Sequence, residues 1–171
     1  MFQEGSRSDR AALSAFRNHV ELSAGTHCVY IFSLAELQIP YPSQPGSVIY
    51  IGEAGRTVGP SGGRFAGHIS KSLTIGNNYT LNRTVSVYYH GGHKLQLRIF
   101  KLDSCETAAG RRTVEGRLIA AHVARFGAQP MGQGTTGPSY TPKAISRLAI
   151  TPEEDVAIAL TALPDKPPGV D

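Results

Sequence analysis

Five side chains in this sequence have types and spacings suited to phosphate binding and proton transfer. They are Tyr30 and Tyr50, Arg64 and His68 four residues apart, and Glu115. The arginine fork matches the oxygens of a phosphate, and a histidine beside it can relay protons. A phenol can accept a proton where a metal ion and a cation lower its pKa. For each tyrosine alone, packing in a sheet is the alternative interpretation.

Glu115 has the least ordinary setting of the five. An apolar stripe follows it at offsets of 3, 4, 7 and 11, which is helical spacing: Leu118, Ile119, His122 and Phe126. The buried stripe therefore begins with a carboxylate, which should meet a cation, a metal ion or a hydrogen-bond donor. The alternative is a glutamate at the rim of the helix that pairs with Arg111 or Arg112.

Arg64 and His68 lie one turn apart, so they share a face of a short predicted helix. The preceding Gly62 and Gly63 would let the backbone approach a phosphate closely at the helix N-terminus. The alternative for this pair is a solvated helix face with an incidental histidine.

The elements that must position these residues follow the order helix, then β-β-α-β-α. We expect helices over 8–22, 65–73, 106–126 and from Thr151, and strands over 26–33, 47–52, 84–89 and 94–102. Ser8 or Asp9 would cap the first helix. A long loop with three prolines joins the first two strands, and Gly91-Gly92 would join the last two, although 84–89 could instead be an edge element. The pattern predicts an α+β fold with a small three-stranded, mainly antiparallel sheet.

Taken in order, these motifs resemble those of the GIY-YIG nuclease family. The first motif is Cys28-Val29-Tyr30, the second Tyr50-Ile51-Gly52, the third the Arg64 and His68 pair, and the fourth Glu115. The likeness covers 26–133, between an N-terminal helical extension (1–25) and a C-terminal loop and helix (134–171).

Three departures from the family pattern stand out. Cys28 replaces a glycine, and Gln133 stands where the family often has an asparagine shortly after a proline. The 20 positions from Tyr30 to Tyr50 are more than usual, an insertion of the kind that restriction enzymes of this family carry.

The resemblance implies an endonuclease that hydrolyses DNA phosphodiester bonds with one Mg²⁺ or Mn²⁺ ion held by Glu115. A single ion is expected because no second acid lies near Glu115 in the sequence pattern. Tyr30, favoured over Tyr50, would activate the attacking water. Arg64 would neutralise charge on the phosphate.

The resemblance also implies roles for two further residues. His68 would hydrogen-bond the attacking water or the neighbouring tyrosine. Gln133 would orient the glutamate or a phosphate.

The net charge of +4 and the pI near 9.2 fit a nucleic-acid partner, DNA by resemblance. Backbone phosphates would be contacted by Arg56, Lys71, Arg83, Lys94, Arg98, Lys101, Arg111 and Arg112. Groove contacts are expected from loop 34–47 and from 132–150, which contains Lys143 and Arg147. The sequence leaves open whether two copies act as a homodimer on the substrate.

Further expectations concern redox state and location. Cys28 and Cys105 stand in no CxxC or Cys/His array, so we expect reduced thiols. No apolar run suits a signal peptide or a membrane span, so we expect a cytoplasmic protein without a membrane partner.

Two rival functions remain. One is a catalytically inactive nucleic-acid-binding module with the same fold. The other is a structural or protein-interaction domain, in which the final helix would present Val156, Ile158, Leu160 and Leu163 to a partner.

Overall fold

The computed structural model describes residues 7–15, 27–55, 61–69, 82–102 and 107–134. The elements in chain order are α1 (Arg7–Ala15), β1 (Cys28–Leu34), β2 (Val48–Ala54), α2 (Ser61–His68), α3 (Arg83–His90), β3 (Leu95–Lys101) and α4 (Ala108–Phe126). The predicted α+β fold with a small three-stranded antiparallel sheet is confirmed. The rest of the predicted first helix, the helix from Thr151 and Cys105 lie outside these residues. Within them, no helix is long and apolar enough to cross a membrane.

The sheet has the order β2-β1-β3, so β1 is central and both pairings are antiparallel. Alternate residues of β1 face opposite sides. Val29 and Ile31 pack with Leu118 of α4. Tyr30 belongs to the core on the other side, together with Phe65 of α2. The sheet thus lies between α4 and the short helices, and every residue of β1 is buried.

Helix α3 contradicts the predicted strand over 84–89, and with it the hairpin through Gly91-Gly92. Asn82 caps the helix by accepting a hydrogen bond from the Val85 backbone N–H at 3.0 Å. Val85 and Tyr89 are buried at i and i+4, whereas Val87 is 58% exposed. The alternating pattern TVSVYY suited a strand, but the cap and the burial of one helical face decide the outcome.

Helix α1 begins at Arg7, so the predicted N-cap role of Ser8 or Asp9 is wrong. Asp9 lies in the first turn and is buried. Its carboxylate accepts a hydrogen bond of 2.6 Å from the Tyr89 hydroxyl, which ties α1 to α3. Burial of a carboxylate requires such a donor.

The long connection between β1 and β2 is confirmed, and it packs on the C-terminal end of α4. The Ser43 backbone N–H donates to the Phe126 carbonyl at 3.0 Å, and Ile39 bridges to Gly46. A Cβ on Gly46 would lie 2.7 Å from the Phe126 ring, so close packing there requires glycine. At 1.5 Å per residue, Glu115 lies about 16 Å away along α4.

Candidate active site

The hydroxyl of Tyr30 is the centre of a buried hydrogen-bond cluster. It lies 2.8 Å from Nε2 of His68 and accepts a hydrogen bond of 3.0 Å from Nε of Arg64. The spacing of four residues in α2 directs both partners towards the same strand residue. Tyr30 is fully buried and His68 is 1% exposed. The structure therefore brings three predicted site residues, from β1 and α2, into direct contact.

Tyr50 of β2 lies beside this cluster and is only partly buried. Its ring centroid is 4.9 Å from that of His68 and 6.0 Å from that of Tyr30. Gly52 makes this approach possible, because a Cβ there would lie 2.6 Å from the Tyr30 hydroxyl and 2.8 Å from the Tyr50 ring. The glycine of the second motif thus leaves room for both tyrosines.

Burial keeps these groups in their neutral forms. Desolvation, with the charge of Arg64, lowers the pKa of His68 to about 3. Desolvation and the proximity of Tyr50 raise the pKa of Tyr30 well above its usual value. Desolvation and the charge of Glu115 raise the pKa of Tyr50, which Arg64 and a hydrogen bond with Tyr30 act to lower. At pH 7, Tyr30 therefore keeps its phenolic proton and His68 is a neutral imidazole.

Glu115 of α4 completes the set, and it is half-buried. Among the described residues, no hydrogen bond or ion pair reaches its carboxylate. Desolvation, followed by the charge of Glu53, raises the pKa of Glu115 to about 7, although Arg64 and Arg112 act to lower it. A carboxylate in this setting gains from a cation, so its chemistry fits a Mg²⁺ or Mn²⁺ ligand.

Glu53 was missed by the sequence analysis. It follows Gly52 in β2, and its Oε2 accepts a hydrogen bond of 2.8 Å from Nε of Arg111. Its charge raises the pKa values of Glu115 and of Arg64, so its carboxylate lies close enough to both groups to act on them electrostatically. The sequence signal was a single carboxylate within the otherwise apolar strand VIYIGEA.

Arg111 corrects two predictions. Arg111 is 5% exposed, and its guanidinium binds Glu53, the His27 Nδ1 atom at 2.8 Å and the Gly55 carbonyl at 2.9 Å. Arg111 is therefore neither the partner of Glu115 nor a surface contact for phosphate. Because a guanidinium can only donate, His27 must present the lone pair of Nδ1.

The nearby Glu53 also removes the premise that Glu115 has no acidic neighbour. An acid that is distant from Glu115 in the sequence is therefore close enough to act on it in the folded protein. The expected single metal ion stays a prediction. Among the described residues, no group of three His, Cys, Asp or Glu side chains could together hold a metal ion.

Gln133 binds the outer edge of β2 and does not contact Glu115 through any hydrogen bond found in the described structure. Its Oε1 accepts from the Ile51 backbone N–H at 3.2 Å, and its Nε2 donates to the Ile51 carbonyl at 3.0 Å. Both bonds fall between Tyr50 and Gly52. Gln133 thus supports the strand that carries Tyr50, whereas its predicted role in orienting a phosphate stays a prediction.

The expected phosphate contacts differ in availability. Arg83, Lys101 and Arg112 are exposed, and Arg98 is partly buried. Lys94 forms an ion pair with Glu36. Arg56, Lys71, Lys143 and Arg147 lie outside the described residues, as does most of 132–150. Loop 34–47 has no lysine or arginine, so any contact with DNA would use its polar or backbone groups.

No family model, curated protein or solved structure matches this chain. A functional interpretation therefore rests on the residues of the site and on their resemblance to the GIY-YIG motifs.

Proposed function

We propose that this protein is a metal-dependent endonuclease of the GIY-YIG type that hydrolyses DNA phosphodiester bonds. The observation that carries the proposal is the hydrogen-bonded cluster of Tyr30, Arg64 and His68, with Glu115 acting electrostatically on the adjacent Tyr50. Glu115, 85 positions after Tyr30 in the sequence, lies close enough to Tyr50 to raise its pKa, which supports the proposal.

Glu115 would hold the divalent ion, which supplies positive charge to a phosphate oxygen and to the leaving oxygen when bound. The half-buried carboxylate is suited to this role because the described residues offer it no direct partner. Glu53 is paired with Arg111, which lies one turn before Glu115 in α4, and the charge of Glu53 also raises the pKa of Glu115.

Arg64 would bind the phosphate undergoing cleavage. Burial acts to lower its pKa, but Tyr30, Tyr50 and Glu53 hold the pKa above its usual value, so the guanidinium stays charged. Its Nε bond to Tyr30 fixes the orientation of the planar group. A fixed cation stabilises charge developing on the phosphate, and its loss costs ~10²-fold or more in rate.

The two tyrosines would have different roles in the attack by water. Tyr30 is fully buried, and its hydroxyl already contacts Arg64 and His68. Tyr50 is the tyrosine with access to solvent, so it is better placed to contact the attacking water. Tyr30 and His68, which burial keeps in their neutral forms, would hold the Tyr50 ring in place beside the cluster. Tyr50, and not Tyr30 as the resemblance implies, would therefore meet the water.

Incubation of the purified protein with supercoiled plasmid and Mg²⁺ or Mn²⁺ tests the proposal. We expect nicked and linear products from the wild type and loss of activity in Glu115→Ala. Val87→Ala, which shortens an exposed side chain of α3, is the control and should cleave normally. Cleavage by Glu115→Ala at the wild-type rate would contradict the metal-ligand role. Tight DNA binding without cleavage by the wild type would favour the inactive binding module.

A further inference from the structure

The outer edge of β2 is held by a short turn, residues 130–133, which we call the edge turn. The Gly132 backbone N–H donates to the Ile49 carbonyl at 2.6 Å, and Gln133 bonds both backbone groups of Ile51. Tyr50 lies between these two anchored residues. The edge turn thus acts as a partial fourth strand that satisfies the backbone groups of an edge strand.

Asn82 binds the middle of the edge turn from the opposite side. Its Nδ2 donates to the Gly132 carbonyl at 2.6 Å, while its Oδ1 caps α3 through the Val85 N–H. The side chain is 8% exposed, so both halves of its amide are used within the protein. A Cβ on Gly132 would lie 2.6 Å from the Ile49 carbonyl oxygen and 3.1 Å from Oδ1 of Asn82, which leaves no room between strand and asparagine.

A third bond steadies the preceding residue of the turn. The Met131 backbone N–H donates to the Tyr41 hydroxyl at 2.9 Å, and Tyr41 in turn donates to the Val48 carbonyl at 2.6 Å. Three consecutive residues of the edge turn are therefore each bound by a side chain or by β2.

We propose that Asn82 is a positioning residue of the active site, which acts through the edge turn to hold Tyr50 against the Tyr30 and His68 cluster. The inference rests on the proposed function, because the chemistry of Tyr50 gives the position its importance. Asn82 does not contact the reacting groups in this arrangement. Its effect passes from Gly132 to the β2 backbone on both sides of Tyr50.

Asn82→Asp separates this role from helix capping. Aspartate has the same length and caps helices as well as asparagine, but its ionised carboxylate cannot donate to the Gly132 carbonyl. Asn82→Ser is the uncharged counterpart, since serine also caps but is shorter. Val87→Ala, on the exposed side of the same helix, is the control.

Hydrogen exchange of the Ile51 amide measures how stably the edge turn is bound to β2, because this N–H donates to Gln133. Loss of a buried hydrogen bond corresponds to a change of ~10-fold or more in a local equilibrium. We expect Ile51 to exchange ~10-fold faster in Asn82→Asp and Asn82→Ser than in the control. An Ile51 exchange rate equal to that of the wild type in both variants would overturn the proposal.

Steady-state cleavage measures the effect on the site. We expect kcat to fall ~10-fold in both variants while KM stays unchanged, because misplacement of a reacting group slows the chemical step without weakening substrate binding. A general loss of stability would instead accelerate exchange across α3 and β3 as well. Faster Ile51 exchange with an unchanged kcat would refute the positioning role.

Failure of the nuclease proposal can be told apart from failure of this inference. If the wild type does not cleave DNA, the ring resonances of ¹³C-labelled Tyr50 replace kcat as the measurement. A shift of these resonances in Asn82→Asp and Asn82→Ser, but not in Val87→Ala, would support the positioning of Tyr50. Unshifted resonances would refute it.

Discussion

Replacement of Glu115 by glutamine should stabilise the metal-free protein at high pH. The Glu115 pKa rises from 4.5 to about 7 in the fold, so the folded state binds a proton more tightly than the unfolded state does. The ionised carboxylate therefore destabilises the fold fully above pH 7, and the penalty disappears as pH falls towards 4.5. Glutamine has a similar shape and no charge.

The magnitude follows from the size of the shift. At 1.36 kcal/mol per pKa unit, an increase from 4.5 to about 7 corresponds to an upper limit of about 3 kcal/mol. Because Glu115 is partly exposed, solvent screens part of this penalty, so we expect Glu115→Gln to be more stable by about 1–2 kcal/mol at pH 8.5.

Urea unfolding in the presence of a chelator, at pH 8.5 and at pH 4.5, measures the difference in the free energy of unfolding. Glu115→Gln should exceed the wild type at pH 8.5 and match it at pH 4.5. Glu36→Gln, at an exposed ion pair, should show no comparable dependence. A Glu115→Gln variant that is no more stable than the wild type at pH 8.5 would refute the account of an unsatisfied carboxylate.

Addition of Mn²⁺ should reverse the order of stabilities. A ligand at 100 times its Kd stabilises the folded state by about 2.7 kcal/mol, and only the wild type retains the carboxylate. Equal stabilisation of both proteins by Mn²⁺ would show that the ion binds elsewhere.

Four further substitutions test other parts of the structure. Tyr30→Phe leaves the buried partners of its hydroxyl unsatisfied, so the free energy of unfolding should fall by about 1–3 kcal/mol, whereas Tyr50→Phe should reduce cleavage with a smaller loss measured by the same urea titration. Gly52→Ala places a Cβ 2.6 Å from the Tyr30 hydroxyl, so it should lower the thermal midpoint and abolish cleavage, and a fully active variant would contradict the close approach. The pKa of the buried His122 falls from 6.5 to about 4, so the stability that depends on its neutral form is present above pH 6.5 and is lost as pH falls towards 4. His122→Gln should therefore flatten the decline in unfolding free energy between pH 6.5 and 4, measured beside the exposed His93→Gln, and identical slopes in the two variants would disprove the role of His122.

Local pattern alone predicted much of the sheet and the longest helix. β1 and β2 are short runs of β-branched and aromatic residues, and α4 has an apolar stripe that ends before a glycine. These signals depend only on residues that are close in the sequence, so they can be recognised without knowledge of the fold. The pairing of Arg64 and His68 on one helix face was predictable for the same reason.

Long-range packing decided the rest. The segment 84–89 alternates as a strand does, and its helical conformation follows from the Asn82 cap and from the burial of Tyr89 against Asp9, 80 positions earlier. The sequence could not place Arg111 on Glu53, 58 positions away. Such contacts depend on how α4 crosses the sheet.

The sequence by itself determined the order of the site residues and the elements that carry them, because motif spacing and hydrophobic period are local properties. Only the tertiary structure decided which hydrogen bonds and ion pairs those residues form. It placed Tyr30 out of solvent between Arg64 and His68, and it put the amide of Gln133 on the edge of β2. Burial and the mutual distances of charges exist only once the chain has folded, and these quantities set the protonation of the site.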